Sequence, residues 1–160
     1  MADTMKAALV QMEVQEKIPD SLARAEGFVR RAAEEGADLC LLPEMFCCPY
    51  QTRNFPIYAQ EEGGPVWREL SRMARENRLI LAAGSVPERD GEGRIYNTAY
   101  VFDPEGRQIA KHRKMHLFDI QVTGGQCFKE SDTLSAGDSV TVFDTRFGPM
   151  GLCVCYDFRF

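Results

Sequence analysis

Residues 38–43, Asp38-Leu39-Cys40-Leu41-Leu42-Pro43, constrain the fold more than any other stretch. Four consecutive apolar residues leave no polar face, so a strand here needs a covering layer on each side. Its surroundings supply such layers. Residues 5–14 (MKAALVQMEV) read as a buried strand carrying Ala7, Leu9, Met12 and Val14. From Asp20 the apolar positions Leu22, Ala25, Phe28, Val29, Ala32 and Ala33 recur at helical spacing. Asp20 or Ser21 is placed to cap that helix and Gly36 to end it in the left-handed conformation. Pro65 opens a second helix with Trp67, Leu70, Met73 and Ala74 on one face, and residues 79–86 (LILAAGSV) form another buried run. Strand, helix, strand, helix, strand predicts an α/β fold.

The second half changes character. Arg89-Asp90-Gly91-Glu92-Gly93 and Asp103-Pro104-Glu105-Gly106 are turn sequences, and they set residues 95–102 apart from residues 107–112 as an antiparallel excursion. Residues 114–138 lack periodicity and carry Gly124-Gly125 in their middle, which predicts a long irregular and functional segment. Residues 140–143 and 150–155 read as two further strands around the turn Arg146-Phe147-Gly148-Pro149. The formal charge of −5 gives nucleic acid or an anionic membrane surface no electrostatic reason to bind. The apolar stretch near the amino terminus ends at Glu13, too short to cross a membrane, so a cytoplasmic address is expected. Six cysteines without paired CxxC spacing predict reduced thiols. His112 and His116 lack further ligands at metal-binding spacing, so no metal is expected.

Three segments place reactive groups at or near strand ends, where open α/β sheets expose their chemistry. Glu44 follows Pro43 and precedes Met45-Phe46, a setting that partly desolvates a carboxylate; an ordinary surface position in a loop is the default reading, and the apolar neighbours shift the balance toward acid–base work. Lys111, Arg113 and Lys114 form a basic cluster whose default is a solvated face; the functional reading turns one lysine inward to hold an oxyanion. Alternation leaves Lys111 and Lys114 both open. Cys153 and Cys155 end an apolar run, where a thiol can stand above the sheet as in a nucleophile elbow or be buried as a core residue. Two apart, they share a strand face, and periodicity does not choose between them.

Leu42-Pro43-Glu44, Arg113-Lys114-Met115-His116-Leu117 and Cys155-Tyr156-Asp157-Phe158-Arg159-Phe160 resemble, in that order, the Glu, Lys and Cys motifs of the nitrilase superfamily of carbon–nitrogen hydrolases. The resemblance runs from about Lys6 to the last residue. It includes Gly84-Ser85-Val86-Pro87-Glu88, Tyr96-Asn97-Thr98-Ala99, Phe128-Lys129-Glu130-Ser131 and Gly137. Phe46-Cys47-Cys48-Pro49-Tyr50, Asn54-Phe55-Pro56 and residues 114–131 are most similar to the omega-amidase branch.

The resemblance implies Cys155 as nucleophile, Lys114 as the cation, Glu44 as general base and Glu130 as a second active-site glutamate that positions Lys114 and Glu44. Glu44 and Lys114 together are expected to turn the thiol into a thiolate. The backbone N–H of Tyr156 is expected to join Lys114 at the oxyanion, and Tyr50 is expected either at the pocket or as a packed aromatic. The implied fold is an α-β-β-α sandwich, with residues 5–160 as the N-terminal part of one carbon–nitrogen hydrolase domain. A thioester mechanism without cofactor, a small amide such as a dicarboxylate monoamide, and a homo-oligomer are implied too. Nitrile or N-carbamoyl hydrolysis would use the same four residues, a non-catalytic interaction protein would not need them, and a redox role would use Cys153 with Cys155 or Cys47 with Cys48. Superfamily members continue past the Cys motif, so the 160-residue polypeptide alone is expected to be poorly soluble and inactive, and a longer form active.

Overall fold

The computed structural model describes residues 4–121, 125 and 127–160. The doubly apolar run becomes β2 (Leu39–Leu41), paired in parallel with β1 (Ala7–Leu9) on one edge and β3 (Ile80–Ala82) on the other. Then the sheet turns antiparallel. β5 (Ile95–Phe102) pairs along one edge with both β3 and β4 (Val86–Arg89), and along its other edge with β6 (Gln108–Arg113), completing six strands. β3 and β4 are two halves of one path along β5, broken at Gly84, whose φ is +54°. The single run expected over residues 79–86 is therefore two strands.

Two helices cover one face of this sheet. α1 (Ile18–Glu34) and α3 (Pro65–Asn77) pack Ala25, Val29, Leu70 and Met73 onto Cys40, Leu81, Tyr100 and Phe102. α2 (Phe55–Tyr58) is a single turn between them in sequence. α1 starts at Ile18, earlier than the expected Asp20 or Ser21, because Pro19 presets the first turn and Ser21 is instead buried against Gln15. Gly36 does take the left-handed conformation, at φ +77°. The opposite face is covered by an antiparallel hairpin of β9 (Thr141–Thr145) and β10 (Gly148–Leu152). Phe143, with Met150 and Leu152, meets Leu39, Ile80, Ala82 and Val101 there. Leu39 and Cys40 thus point to opposite layers, which is why the run needed no polar face. Helices, sheet and hairpin make three of the four layers of an α-β-β-α sandwich.

Other expectations shift. β1 is shorter than residues 5–14 and lies at the sheet edge, with Leu9 exposed. Residues 114–138 are not wholly irregular: β7 (Asp119–Gln121) and β8 (Cys127–Lys129) form an antiparallel ribbon leading into a 3-10 turn, Glu130–Asp132. Of the Gly124-Gly125 pair, Gly124 lies outside the described residues. β10 ends at Leu152, so Cys153 and Cys155 do not share a strand; Cys155 opens a separate 3-10 turn, Cys155–Arg159.

Candidate active site

Glu44 stands in the turn that follows β2. That turn is held closely: Leu42 N donates to Ala82 O at 3.0 Å, Met45 N donates to the Ser85 hydroxyl at 3.0 Å, and Met45 adopts φ +50°. A Cβ on Gly84 would sit 2.1 Å from Pro43 O, so only glycine lets this backbone approach the turn. The result aims the Glu44 carboxylate inward, where its Oε1 accepts from Asn97 Nδ2 at 2.8 Å and Lys114 Nζ at 3.0 Å.

Lys114 follows β6 directly and is fully buried. Its backbone is fixed on both sides, with N donating to Asn97 O at 2.8 Å and O accepting from Gly137 N at 2.9 Å. Its ammonium lies 3.0 Å from Glu44 Oε1 and 3.0 Å from Glu130 Oε1. Burial pulls its pKa down, but the Glu44 charge and the Glu130 hydrogen bond outweigh burial and hold it above the ordinary lysine value. The lysine is a fixed cation. Lys111, the alternative, points to the other face, where it pairs with Glu62 and buried Glu88.

Glu130, also fully buried, accepts from Lys114, from Phe118 N at 2.6 Å and from the Tyr50 hydroxyl. Its expected contact with Glu44 is indirect. Tyr50 links the two, bonded to Glu130 Oε1 and 3.3 Å from Glu44 Oε1. Burial first, then the Glu44 charge, push the Tyr50 phenol far above its ordinary pKa, so it is a neutral donor. Tyr50 is both packed and at the cleft: its ring lies against Phe55 and Phe128.

Cys155 opens its turn at φ +46°, an uncommon conformation for a non-glycine residue. Its thiol is pushed above the ordinary value by burial and then by the Glu44 charge; Lys114 pulls it down, and a hydrogen bond to Glu44 adds to the rise. The net effect favours a protonated thiol facing a carboxylate, the starting point for the expected proton transfer from Cys155 to Glu44. Tyr156 N–H is a first-turn donor without an intrahelical acceptor. Glu44, Tyr50, Phe118, Cys155, Tyr156, Phe158 and Arg159 line a cleft of about 550 Å³.

The four residues singled out in the sequence therefore meet at one place. Asn97, Ser85 and Asp157 were missed as contributors to the site. The available signal was a polar residue inside a run otherwise suited to burial, as Asn97 is within β5. His112 and His116 both bond Asp157 rather than forming a metal set. Among the described residues, no group of three or more His, Cys, Asp or Glu is arranged to hold a metal. Cys47 and Cys48 are buried, with thiols pushed up by desolvation to about 12, which makes them poor redox partners.

A carboxylate, a buried ammonium and a thiol set around a cleft at the strand ends are the parts of a carbon–nitrogen hydrolase of the nitrilase type. The chain belongs to the carbon–nitrogen hydrolase family, whose model matches residues 6–160. It is 48% identical over 157 residues to mouse omega-amidase NIT2, covering 98% of this chain and 56% of that protein. It is 46% identical over 157 residues to hydrolase C26A3.11 of Schizosaccharomyces pombe, covering 97% of this chain and 48% of that one. The crystal structure of Saccharomyces cerevisiae Nit3, a member of branch 10 of the nitrilase superfamily, superimposes with a TM-score of 0.85 at 38% identity. That superposition covers 98% of this chain and 57% of the yeast chain. The chain thus spans about half the length of the relatives it matches. Among the described residues, no helix is long and apolar enough to cross a membrane.

Proposed function

We propose that the protein hydrolyses a small linear amide through a thioester on Cys155, with residues 5–160 carrying all four reacting or positioning groups of its carbon–nitrogen hydrolase domain. The observation that carries this reading is Lys114, fully buried and 3.0 Å from both Glu44 and Glu130 beside the cleft that holds Cys155. Glu44 takes the thiol proton as Sγ attacks the amide carbon, so the thiolate forms in step with attack. Negative charge moves to the carbonyl oxygen, where the Lys114 ammonium and Tyr156 N–H stabilise it; one such donor is worth about 3 kcal/mol of barrier. Glu44 returns the proton to the amide nitrogen, the C–N bond breaks, and ammonia leaves a thioester. Water then gives a proton to Glu44, attacks the thioester carbon, and releases the carboxylic acid as Sγ recovers its proton.

For substrate class, the omega-amidase named among the relatives supports the terminal amide of a dicarboxylic acid monoamide. Arg159 on the cleft wall supplies a cation that suits an acidic substrate. Free thiols, buried at Cys40, Cys47 and Cys48 and exposed at Cys127, Cys153 and Cys155, fit a cytoplasmic setting, and exposed Val142, Phe158 and Phe160 supply apolar surface for a homo-oligomer.

The test is ammonia release from a panel of monoamides, other amides, N-carbamoyl compounds and nitriles by the product of the complete reading frame. Cys155→Ala should abolish turnover and leave a stable fold, and Cys153→Ala should leave it intact. Activity surviving Cys155→Ala overturns the nucleophile assignment; turnover of nitriles or N-carbamoyl compounds alone replaces the substrate class; and no turnover of any member supports an interaction protein.

A further inference from the structure

His112 and His116, four residues apart, converge on one carboxylate that the proposed chemistry does not use. Asp157 lies two residues after Cys155 and is buried. Its Oδ1 accepts from Met115 N at 3.0 Å, His116 N at 2.8 Å and His116 Nδ1 at 3.0 Å. Its Oδ2 accepts from Val154 N at 3.0 Å and His112 Nε2 at 2.9 Å. A carboxylate accepts only, so the histidine nitrogens facing it carry the protons.

These partners fall into two groups. Met115 and His116 follow Lys114 directly, while Val154 precedes Cys155. Asp157 N also donates to Val154 O at 3.0 Å, so a closed ring of backbone and side chain encircles Cys155 and Tyr156. That ring holds Cys155 at its positive φ. His112 anchors the arrangement from behind, on β6, with its Nδ1 3.0 Å from the Thr141 hydroxyl on β9. Burial alone would raise the Asp157 carboxyl; the bonds from His112, Val154 and His116 outweigh it and hold it ionised below the ordinary carboxylate range.

We infer that Asp157 is a positioning residue that registers the Cys155 turn against the Lys114 segment, Oδ1 holding the Met115–His116 backbone and Oδ2 holding Val154 together with His112 on β6. This rests on the assignment of Cys155 and Lys114 above. Asp157 touches no reacting atom; it fixes the distance between the thiol and the cation. A misplacement of about 1 Å between reacting groups costs on the order of 10²-fold in rate.

Asp157→Asn is the decisive variant, because an amide of the same shape has one acceptor oxygen and one donor nitrogen. Whichever way it faces, a donor meets either Val154 N–H or the Met115 and His116 N–H pair, so one side is released. In the product of the complete reading frame, the expected result is a folded protein by circular dichroism and gel filtration. Its kcat should fall roughly 30- to 300-fold, with KM within about threefold. Carboxamidomethylation of Cys155 by iodoacetamide, read by peptide mass spectrometry, should slow in parallel, while exposed Cys127 reacts at the wild-type rate.

Wild-type kcat and Cys155 labelling in a folded Asp157→Asn variant overturn the inference, as does a kcat loss no larger than the loss of folded protein. If Asp157→Asn does not fold, His112→Leu decides. It removes the donor behind Asp157 and leaves the Val154–Asp157 bonds in place: a fall in kcat of at least about fivefold at unchanged KM supports the inference, and unchanged kcat overturns it. Cys155→Ala, run alongside, separates the two levels. Activity in that variant sinks the catalytic assignment itself, whereas an inactive Cys155→Ala with a fully active Asp157→Asn sinks only the positioning role.

Discussion

Gly84→Ala tests whether the Glu44 turn is held by close backbone approach. The added Cβ would stand 2.1 Å from Pro43 O and 2.7 Å from Leu42 O, both backbone atoms that cannot swing aside. Ordinary contact begins near 3.4 Å, so the Pro43 carbonyl and the Gly84 backbone must separate by more than 1 Å. At φ +54° an alanine also pays about 1 kcal/mol for the left-handed conformation. Overpacking against a fixed neighbour adds roughly 1–3 kcal/mol. The sum, about 2–4 kcal/mol, lowers Tm by roughly 5–15 °C for a protein of this size. Because Glu44 follows Pro43 directly, the same shift displaces the carboxylate and should lower kcat by about 10²-fold. Gly93→Ala is the control: its φ is +82°, yet no heavy atom lies within 4 Å of the added Cβ. It should cost about 1 kcal/mol and leave kcat unchanged. Thermal unfolding and ammonia release on both variants decide the matter. Equal Tm shifts for the two, or an unchanged kcat in Gly84→Ala, would refute the reasoning.

Lys114→Met should destabilise the protein by about 3–5 kcal/mol in urea unfolding, because it leaves Glu130 buried without its cation. It should also lower kcat by at least about 10²-fold; a Lys114→Met protein of wild-type stability would contradict the ion-pair geometry. Glu44→Gln should move the midpoint of Cys155 alkylation against pH downward, since it removes a charge and an acceptor that hold the thiol protonated. A midpoint that stays or rises would show that Glu44 does not face the thiol. Tyr50→Phe removes a donor to Glu130 and should cost about 1–2 kcal/mol of stability, read from thermal unfolding; no change would show that the phenol is not bonded there. On the acid side, the Asp157 and Glu88 carboxyls are held below their ordinary values, against burial, by the bonds they accept. The stability they lend is present above the ordinary carboxylate pKa and lost as pH falls through the lower folded values. Unfolding monitored by circular dichroism should therefore begin below about pH 4. The raised Lys114 acts at the other end: its contribution is complete below the ordinary lysine pKa and is lost only as pH rises through its higher folded value.

The layered α/β order was legible because burial on both faces leaves a mark in one dimension: residues 38–42 and the helical spacing of α1 and α3 mapped onto the layers that cover them. Boundaries were less legible. The break at Gly84 depends on contact with the Glu44 turn, 40 residues earlier, and local pattern carries no record of it. Residues 114–138 read as irregular because β7 and β8 are three residues each, too short to show a period. At the site, Glu44 and the two lysines stood out by chemistry, but choosing Lys114 over Lys111 by pattern alone failed. Lys114 lies just past the end of β6, where strand alternation no longer sets direction. Tyr50, Asn97 and Asp157 act by partnership across 80, 53 and 41 positions, which spacing cannot express.

β5 is bonded along both edges and buried at every one of its eight residues. Its amides should exchange with deuterium only through global unfolding. Asn97 sits on this strand and receives the backbone of Lys114, so the carboxylate–lysine half of the site shares that slow clock. Cys155 stands on a short turn open to solvent on one side, where opening costs far less. The two halves of the proposed catalytic centre should therefore breathe on separate timescales, Cys155 sampling open states while Glu44 and Lys114 hold still.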